Sequence, residues 1–179
     1  MRALLSALLL ASLFVSSPAS ATPSAGPKNT LTVNPIGLLL GGLSLEYERA
    51  ASPGMSWYIG PSYWGLSFSG GSLDGWGLEK YDLSGGLRLF PGGRSPGGFY
   101  IGPTASVGVA TVSSPSSSSS ATTWSLGAGL GYTWLVGDVF DISLGLGAAY
   151  MEAEAEVEGR TEGSSGIWPS LRFAIGPAF

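Results

Sequence analysis

The stretch from Trp124 to Tyr150 alternates between apolar and small residues, and this period of two constrains the fold more than any other feature of the chain. From Trp124 to Trp134 every second residue is apolar, and the residues between them are Gly, Ser or Thr. The alternation returns from Phe140 to Tyr150, after Gly137-Asp138. Successive side chains of a β-strand point to opposite faces, so both segments are predicted strands with one apolar face and one small or polar face.

The same alternation recurs along the chain and predicts eight strands joined mostly by hairpins. The predicted strands are 30–38, 43–49, 55–68, 79–90, 99–112, 124–134, 140–157 and 167–179. The segment 38–42 breaks the pattern and is interpreted as a tight reversal, with a longer strand or a short helical turn as the alternatives. In each strand we call the alternate positions that carry apolar residues the apolar phase. In the third strand the apolar phase moves to the other set of positions after Gly60-Pro61, which indicates either a bulge or a large side chain that points inward.

The first 21 residues have the organisation of a signal peptide, which is removed from the mature protein. Arg2 is followed by the apolar segment 3–15, and Ala19-Ser20-Ala21 is a small-residue cleavage site. Residues 22–29 are predicted to be a flexible periplasmic lead-in, and residues 30–179 a single β-barrel domain. The chain contains no cysteine, so a closed hydrogen-bond ladder or its own core has to hold the domain together.

Several features favour a barrel in a membrane over a barrel in water. Only 11% of the residues are charged and 29 are glycine, so the polar phase of the strands is too small and too weakly charged for a soluble surface. Such residues suit the narrow interior of an eight-stranded barrel, with the apolar phase facing lipid. The alternative is a soluble, lipocalin-like barrel that is secreted and binds a small apolar ligand.

Aromatic residues recur at both ends of the apolar faces, as in the girdles of membrane barrels. Trp124 to Trp134 and Phe140 to Tyr150 each cover ten residue steps. Ten steps on a tilted strand rise roughly 25 Å, the height of the lipid-facing band. The predicted periplasmic girdle contains Tyr47, Phe99, Trp134, Phe140 and Phe179, and the predicted outer girdle contains Tyr81, Trp124 and Tyr150.

The predicted connections alternate between short and long, which is the asymmetry of an outer-membrane barrel. The short ones are 51–54, 91–98 and 137–139, and the longer polar ones are 69–78, 113–121 and 158–166, with a very short exception at 39–42. The serine-rich segment 113–120 has little to bury and is predicted to be disordered. Prolines at 35, 61, 103, 169 and 177 fall within predicted strands, so local bulges or lost ladder bonds are expected there.

Two stretches resemble known proteins of the bacterial outer membrane. The segment 171–179 ends in Phe179 and carries apolar residues at alternate positions, and it resembles the C-terminal recognition strand of these proteins. The segment 34–49 looks like the start of small OmpA- and OmpX-like barrels of Gram-negative bacteria. The resemblance implies an eight-stranded antiparallel up-and-down transmembrane β-barrel in the cell outer membrane. It also implies recognition by the barrel-assembly machinery, and it transfers no activity.

The chemistry that this chain lacks excludes several classes of function. Outer-membrane enzymes that act on lipids or peptides rely on a catalytic histidine, and this chain has no histidine. Zinc sites built from His or Cys are excluded for the same reason. The formal charge is −4 with no basic patch, so nucleic acid is not an expected partner. No catalytic, cofactor-binding or metal-binding residues are therefore predicted, and no cofactor is expected.

Charged residues concentrate in the inward phase of the strands, where they are predicted to form a network inside the lumen. The predicted members are Glu46, Glu48, Lys80, Asp82, Arg88, Asp141 and Arg172. Because strands 1 and 8 close the barrel, Glu46 or Glu48 is expected to pair with Arg88 and Arg172. Such a network would plug the lumen, and a gated ion path is the alternative. The row Glu152, Glu154, Glu156 and Glu158 is interpreted as a solvated hairpin tip, with divalent-cation binding near lipopolysaccharide as the alternative.

Together these features predict a non-enzymatic, monomeric, porin-like barrel of the cell envelope with a plugged or very narrow lumen. Its expected role is structural or a surface interaction through its loops. The expected partners are outer-membrane lipid, lipopolysaccharide and the assembly machinery. A narrow ion channel or transport module is the second hypothesis.

Overall fold

The computed structural model describes residues 26–68, 70, 74–157 and 160–179, and the side chains of 155–162 lie outside the description. The predicted signal peptide and residues 22–25 of the predicted lead-in therefore lie outside the described residues. The strands are β1 (Asn29–Val33), β2 (Gly42–Ser52), β3 (Met55–Ser67), β4 (Gly77–Leu89), β5 (Gly98–Ser114), β6 (Ser117–Val136), β7 (Phe140–Val157) and β8 (Arg160–Pro177), with one short helix, α1 (Pro35–Leu39).

The eight strands form one closed antiparallel barrel in which each strand pairs with its sequence neighbours and β8 returns to β1. Asn29 and Phe179 exchange two backbone hydrogen bonds of 2.8 Å, which join the two ends of the barrel. Both termini of the barrel lie with the turns 53–54, 90–97 and 137–139 at what we call the terminal end. The opposite, distal end carries α1 and the β3–β4, β5–β6 and β7–β8 connections. The prediction of an eight-stranded antiparallel up-and-down barrel is confirmed.

The first strand is shorter than predicted, because the chain enters a helix instead of continuing as a strand to residue 38. Asn34 caps this helix by accepting a hydrogen bond of 3.0 Å from the backbone N–H of Gly37. Pro35 occupies the first helical turn, where the missing N–H of proline has no cost. The prediction of Pro35 within a strand was therefore wrong, and the short helical turn that the pattern left open is the observed conformation.

The serine-rich segment 113–120 is a paired hairpin, so the prediction that it is disordered was wrong. Ser114 pairs with Ser117 across the two-residue turn Pro115-Ser116. Hydroxyl contacts bridge the strands at Ser114–Ser117 (3.0 Å) and at Thr111–Ser120 (2.9 Å). The backbone ladder and these cross-strand contacts order the segment although it buries little apolar surface.

Two other distal connections also differ from the predicted ones. The last strand begins at Arg160 instead of residue 167, so most of the predicted loop 158–166 is paired with β7. The first distal connection was predicted to be very short, at 39–42. It is instead eight residues long, 34–41, and contains α1. The distal end therefore projects as long hairpins, because β5 to β8 have 17 to 20 residues each.

Three Gly-Pro pairs, at 60–61, 102–103 and 176–177, interrupt ladders whose register otherwise continues on both sides. Proline cannot donate to the ladder. The carbonyl oxygens of Leu45, Leu87 and Leu31 occupy the space that a Cβ would need on the three glycines. The expectation of lost ladder pairs is thus confirmed at these sites. Pro169 pairs with Ala148 of β7, and β1 does not extend far enough to reach it.

The apolar phase of the strands faces outward and the small or polar phase faces the lumen. Leu83, Leu126 and Leu146 are 47%, 52% and 64% exposed, whereas Thr30, Ser143 and Asp141 are fully buried. In β3 the register runs without a bulge at Gly60-Pro61, and the large side chains of Tyr58 and Trp64 lie in the inward phase. Of the two explanations for the phase switch, the inward side chain is therefore the observed one.

Candidate functional site

The main polar feature of the molecule is a group of four charged side chains inside the barrel, which we call the lumenal cluster: Glu46, Glu48, Arg88 and Arg172. The two glutamates lie on β2, Arg88 lies on β4 and Arg172 lies on β8. All four occupy the inward phase of their strands. Closure of the barrel places β8 close enough to β2 for Arg172 to contact Glu46, although 126 residues separate them.

Arg88 is the centre of the lumenal cluster because its guanidinium binds both glutamates. Its Nη2 donates a 2.8 Å hydrogen bond to Oε2 of Glu46, and its Nη1 donates to Oε2 of Glu48. The other oxygen of Glu48 accepts a hydrogen bond from the hydroxyl of Ser56. Glu48 and Ser56 are fully buried and Arg88 is 3% exposed. These charges are therefore compensated by one another instead of by water, as burial requires.

Arg172 completes the cluster from the other side of Glu46. Its Nη2 donates a hydrogen bond of 2.5 Å to Oε1 of Glu46, and its Nε lies 3.4 Å from Oε2. Glu46 thus bridges the two arginines, and two carboxylates face two guanidinium groups. With no net formal charge, the cluster can stay inside a narrow lumen without a further counter-ion.

Two tyrosines support the cluster, and the sequence analysis assigned them no role. The guanidinium carbon of Arg88 lies 4.1 Å from the ring centroid of Tyr58 and 5.0 Å from that of Tyr100, and Arg172 lies 5.9 Å from the Tyr100 ring. Arginine stacked on an aromatic face gains a cation–π contribution. The hydroxyl of Tyr58 also donates a 2.8 Å hydrogen bond to Thr104 across the lumen. Both tyrosines occupy inward-facing positions of their strands, as the charged residues do. This alternation was the sequence signal that could have identified them.

The remaining predicted members of the network are placed elsewhere in the lumen. Lys80 and Asp82 form their own ion pair, with 3.2 Å between Nζ and Oδ1. Asp141 is fully buried and accepts a 2.7 Å hydrogen bond from Ser143, whose hydroxyl also contacts Thr133 at 2.7 Å. The seven predicted residues thus divide into the lumenal cluster, a separate ion pair and a separate hydrogen-bonded chain.

Several buried side chains lie inside the barrel near the terminal end. Phe90 and Tyr100 pack with their ring centroids 5.9 Å apart and are only 2% and 4% exposed. The hydroxyl-lined region around Thr30, Thr32 and Ser143 is equally closed to solvent. A cavity of about 160 Å³ borders the cluster, with Tyr58, Ser84, Thr104 and Ser170 among its lining residues. Buried side chains and a small cavity thus lie next to the lumenal cluster.

The aromatic residues predicted for the girdles lie in pairs or alone on the outward face. Trp124 packs against Tyr150, with ring centroids 5.7 Å apart, and Tyr81 packs against Tyr63 at 4.9 Å. Nearer the terminal end, Tyr47 packs on Trp57 at 5.6 Å and Trp134 on Tyr132 at 4.7 Å. Phe99, Phe140 and Phe179 are exposed by 48%, 39% and 60%. Trp57, Tyr63 and Tyr132 were absent from the predicted sets.

The glutamate row continues the ladder of β7 beyond Tyr150. Glu152 pairs with Ser165 and Glu154 with Gly163 of β8, so these residues belong to a strand of the distal hairpin. Glu158 and the side chain of Glu156 lie outside the described residues.

Within the part of the chain that the structure describes, no group of three or more His, Cys, Asp or Glu side chains is placed to hold a metal ion. Among the same residues, no helix is long and apolar enough to cross a membrane.

Comparison with known proteins supports the fold. No family model matches the chain, and no curated protein matches it in sequence. Among solved structures, the chain is similar to Ail, the attachment invasion locus protein of Yersinia pestis, with a TM-score of 0.50 and 15% identity. The similarity covers 86% of this chain and 99% of that chain. Ail is an eight-stranded outer-membrane β-barrel, and the protein described here has the same eight-stranded barrel fold.

Proposed function

We propose that the protein is an outer-membrane β-barrel that displays its distal hairpins at the cell surface for adhesive or other surface contacts. The observation that carries this proposal is the length of β5 to β8. A tilted strand needs about 9–11 residues to cross the hydrocarbon layer, and these strands have 17 to 20. Their excess lies at the distal end, beyond Trp124 and Tyr150.

Orientation in the membrane follows from the same features. The outward surface between the aromatic residues is apolar, which suits lipid, and the serine-rich and glutamate-bearing hairpin ends suit water. In this orientation the terminal end faces the periplasm. The fold likeness to a protein named for attachment and invasion is consistent with a surface role.

The lumen is proposed to be closed to ion flow. This proposal is supported by the lumenal cluster and by the buried side chains of Phe90 and Tyr100, which lie inside the barrel near the terminal end. An ion passing through would have to displace one of the paired charges of the cluster. We therefore favour a scaffold over the narrow channel of the second hypothesis.

Assembly is proposed to use the C-terminal strand that ends at Phe179. This side chain is 60% exposed, and the backbone of the same residue joins β8 to β1 through Asn29. Outer-membrane lipid and lipopolysaccharide would surround the folded barrel, which we propose to be a monomer.

Shortening one hairpin tests the surface role. Deletion of Thr111–Ser114 together with Ser117–Ser120 removes four paired positions from each strand and preserves the register below them. Cells that display the wild-type protein should adhere to epithelial cell layers, and cells that display the shortened barrel should not. Heat-modifiable migration on a gel controls for folding in the membrane. Equal adhesion by both strains would contradict the proposal, and conductance of the purified protein in planar bilayers would contradict the closed lumen.

A further inference from the structure

The barrel has a lateral seam beside β8, because the first strand is far shorter than the last. β1 has five residues and β8 has 18. The pair nearest the distal end in the β1–β8 ladder is Val33 with Ile175. Beyond it the chain leaves the sheet at Asn34, and α1 packs between β2 and β8. On this side, residues 160–174 of β8 have no strand partner in the described chain.

The rim of the seam is apolar and exposed. Leu39 of α1 is 86% exposed, and Ile167 and Leu171 of β8 are 76% and 64% exposed. Leu130 and Leu146, within the continuous part of the sheet, are 47% and 64% exposed. Leu39 and Ile167 are therefore more exposed than these two leucines, and Leu171 is as exposed as Leu146.

Behind this rim, beside the last β1–β8 pair, lies a small pocket of about 150 Å³ that is lined by both polar and apolar residues. Its lining includes Thr32, Asn34 and Ser44 and the cluster residues Glu46 and Arg172. Oγ1 of Thr32 and Nη1 of Arg172 are buried and have no hydrogen-bond partner among the described residues. Thr32 is 1% exposed. Two buried donors without an acceptor are costly, and both border the same pocket.

We propose that this seam is a binding site for a single-chain amphiphile with a small, uncharged, oxygen-bearing headgroup, of the monoacylglycerol class. The acyl chain would lie in the bilayer against Leu171 and Leu39. The headgroup would enter the pocket and accept hydrogen bonds from Thr32 and Arg172.

The charges of the pocket determine the class of headgroup. Glu46 and Arg172 both line the pocket and neutralise each other through their 2.5 Å contact. An anionic headgroup would be repelled by Glu46, and a cationic one by Arg172. An ester and its free hydroxyls provide acceptors for the two unpartnered donors and a donor for the carboxylate. The volume accommodates a headgroup of a few atoms and leaves the acyl chain outside.

Titration of the full-length, detergent-folded protein tests the site by native mass spectrometry. The probes are monoolein, oleate and oleylamine, which share one chain and differ in headgroup charge. Monoolein should form a saturable 1:1 complex at lower concentration than either charged probe. Thr32→Val and Arg172→Gln should each weaken monoolein binding by about tenfold. Arg94→Gln, a matched change at an exposed position of the terminal end, should leave binding unchanged.

Location is tested with a monoacylglycerol that carries a dibrominated chain. Trp168 of β8 is 61% exposed at the seam, so the bromine atoms should quench it saturably, and Trp168→Phe should abolish the saturable component. Since Arg172→Gln also removes a contact of the lumenal cluster, Thr32→Val, whose hydroxyl makes no contact with the cluster, is the decisive variant. Equal binding by wild type and Thr32→Val, a preference for oleate or oleylamine, or unsaturable quenching would overturn the proposal.

Discussion

Arg172 and Glu46 lie 126 residues apart in the chain and are joined inside the barrel by a 2.5 Å hydrogen bond. The contact exists because β8 closes the sheet next to β1, which brings the inward face of the last strand opposite that of β2. Glu46 in turn binds Arg88 at 2.8 Å. One carboxylate thus connects the end of the chain to the middle of the barrel wall.

Replacement of Arg172 by alanine should destabilise the barrel, because it leaves Glu46 with one cation. We expect a loss of about 3 kcal/mol in the free energy of unfolding, the usual size for breaking a buried ion pair. Urea titration in detergent micelles, followed by the gel shift of the folded form, measures it. Arg94→Ala at an exposed turn is the control, and equal midpoints for the two variants would contradict a structural role for the cluster.

Replacement of Arg88 should destabilise the barrel even when the new residue is another cation. A lysine offers a single ammonium group and cannot bind Glu46 and Glu48 with two separate nitrogens or stack its plane on Tyr58. We expect Arg88→Lys to lose about 2 kcal/mol, and Arg88→Ala more. The same unfolding assay ranks the three proteins. If Arg88→Lys were as stable as the wild type, a positive charge alone would be sufficient to stabilise the cluster, and the expected role of the two guanidinium nitrogens would be wrong.

Gly102→Ala should interfere with barrel formation, because the carbonyl oxygen of Leu87 already occupies the position of the added Cβ. Relief requires movement of a neighbouring backbone, with an expected cost of about 1–3 kcal/mol or more. Gly92→Ala is the matched control, since nothing lies within 4 Å of its added Cβ. Refolding yield and unfolding midpoint should fall for the first variant alone.

The serine-rich hairpin should be ordered in solution. Hydrogen exchange followed by mass spectrometry should show protected amides in Ser117–Ala121, where the backbone pairs with residues 110–114 of β5. Breaking the ladder with Ser118→Pro should remove that protection without affecting β6 below Trp124. Exchange at the rate of an unstructured peptide in the wild-type protein would contradict the hairpin.

The predicted aromatic girdles place Trp124 and Trp134 at similar shallow depths on opposite sides of the membrane. In variants that retain only Trp124 or only Trp134, lipids brominated near the headgroup should quench fluorescence more than lipids brominated deep in the chain. A soluble quencher added from one side of oriented vesicles should reach only one of the two. Deep quenching of both residues would contradict the prediction that the ten residue steps from Trp124 to Trp134 cross the lipid-facing band.

Much of this arrangement could be read from the alternation of residue types. The period of two identified the strands, and the inward phase already contained all four members of the lumenal cluster. What the pattern could not show was the choice of partners. Lys80 and Asp82 pair with each other, and Asp141 binds Ser143, because strand register and closure decide which inward residues meet.

Two local errors have a similar origin. The helix α1 was hidden because its five residues have no clear period, although Asn34 followed by Pro35 is a recognisable helix start. The serine-rich hairpin was interpreted as disordered because its residues bury little. Pairing with a neighbouring strand does not depend on hydrophobicity, so the polar segment continues the ladder that the apolar one begins.

By itself the sequence determined an antiparallel barrel with an apolar exterior and a small, partly charged interior, because side-chain polarity with a period of two is a local property. The tertiary structure decided where the barrel closes, how far each ladder extends and which charges pair. It also left the seam between α1 and β8, because β1 ends at Val33 while β8 continues for 18 residues. These features depend on contacts between distant segments, and no local pattern encodes them.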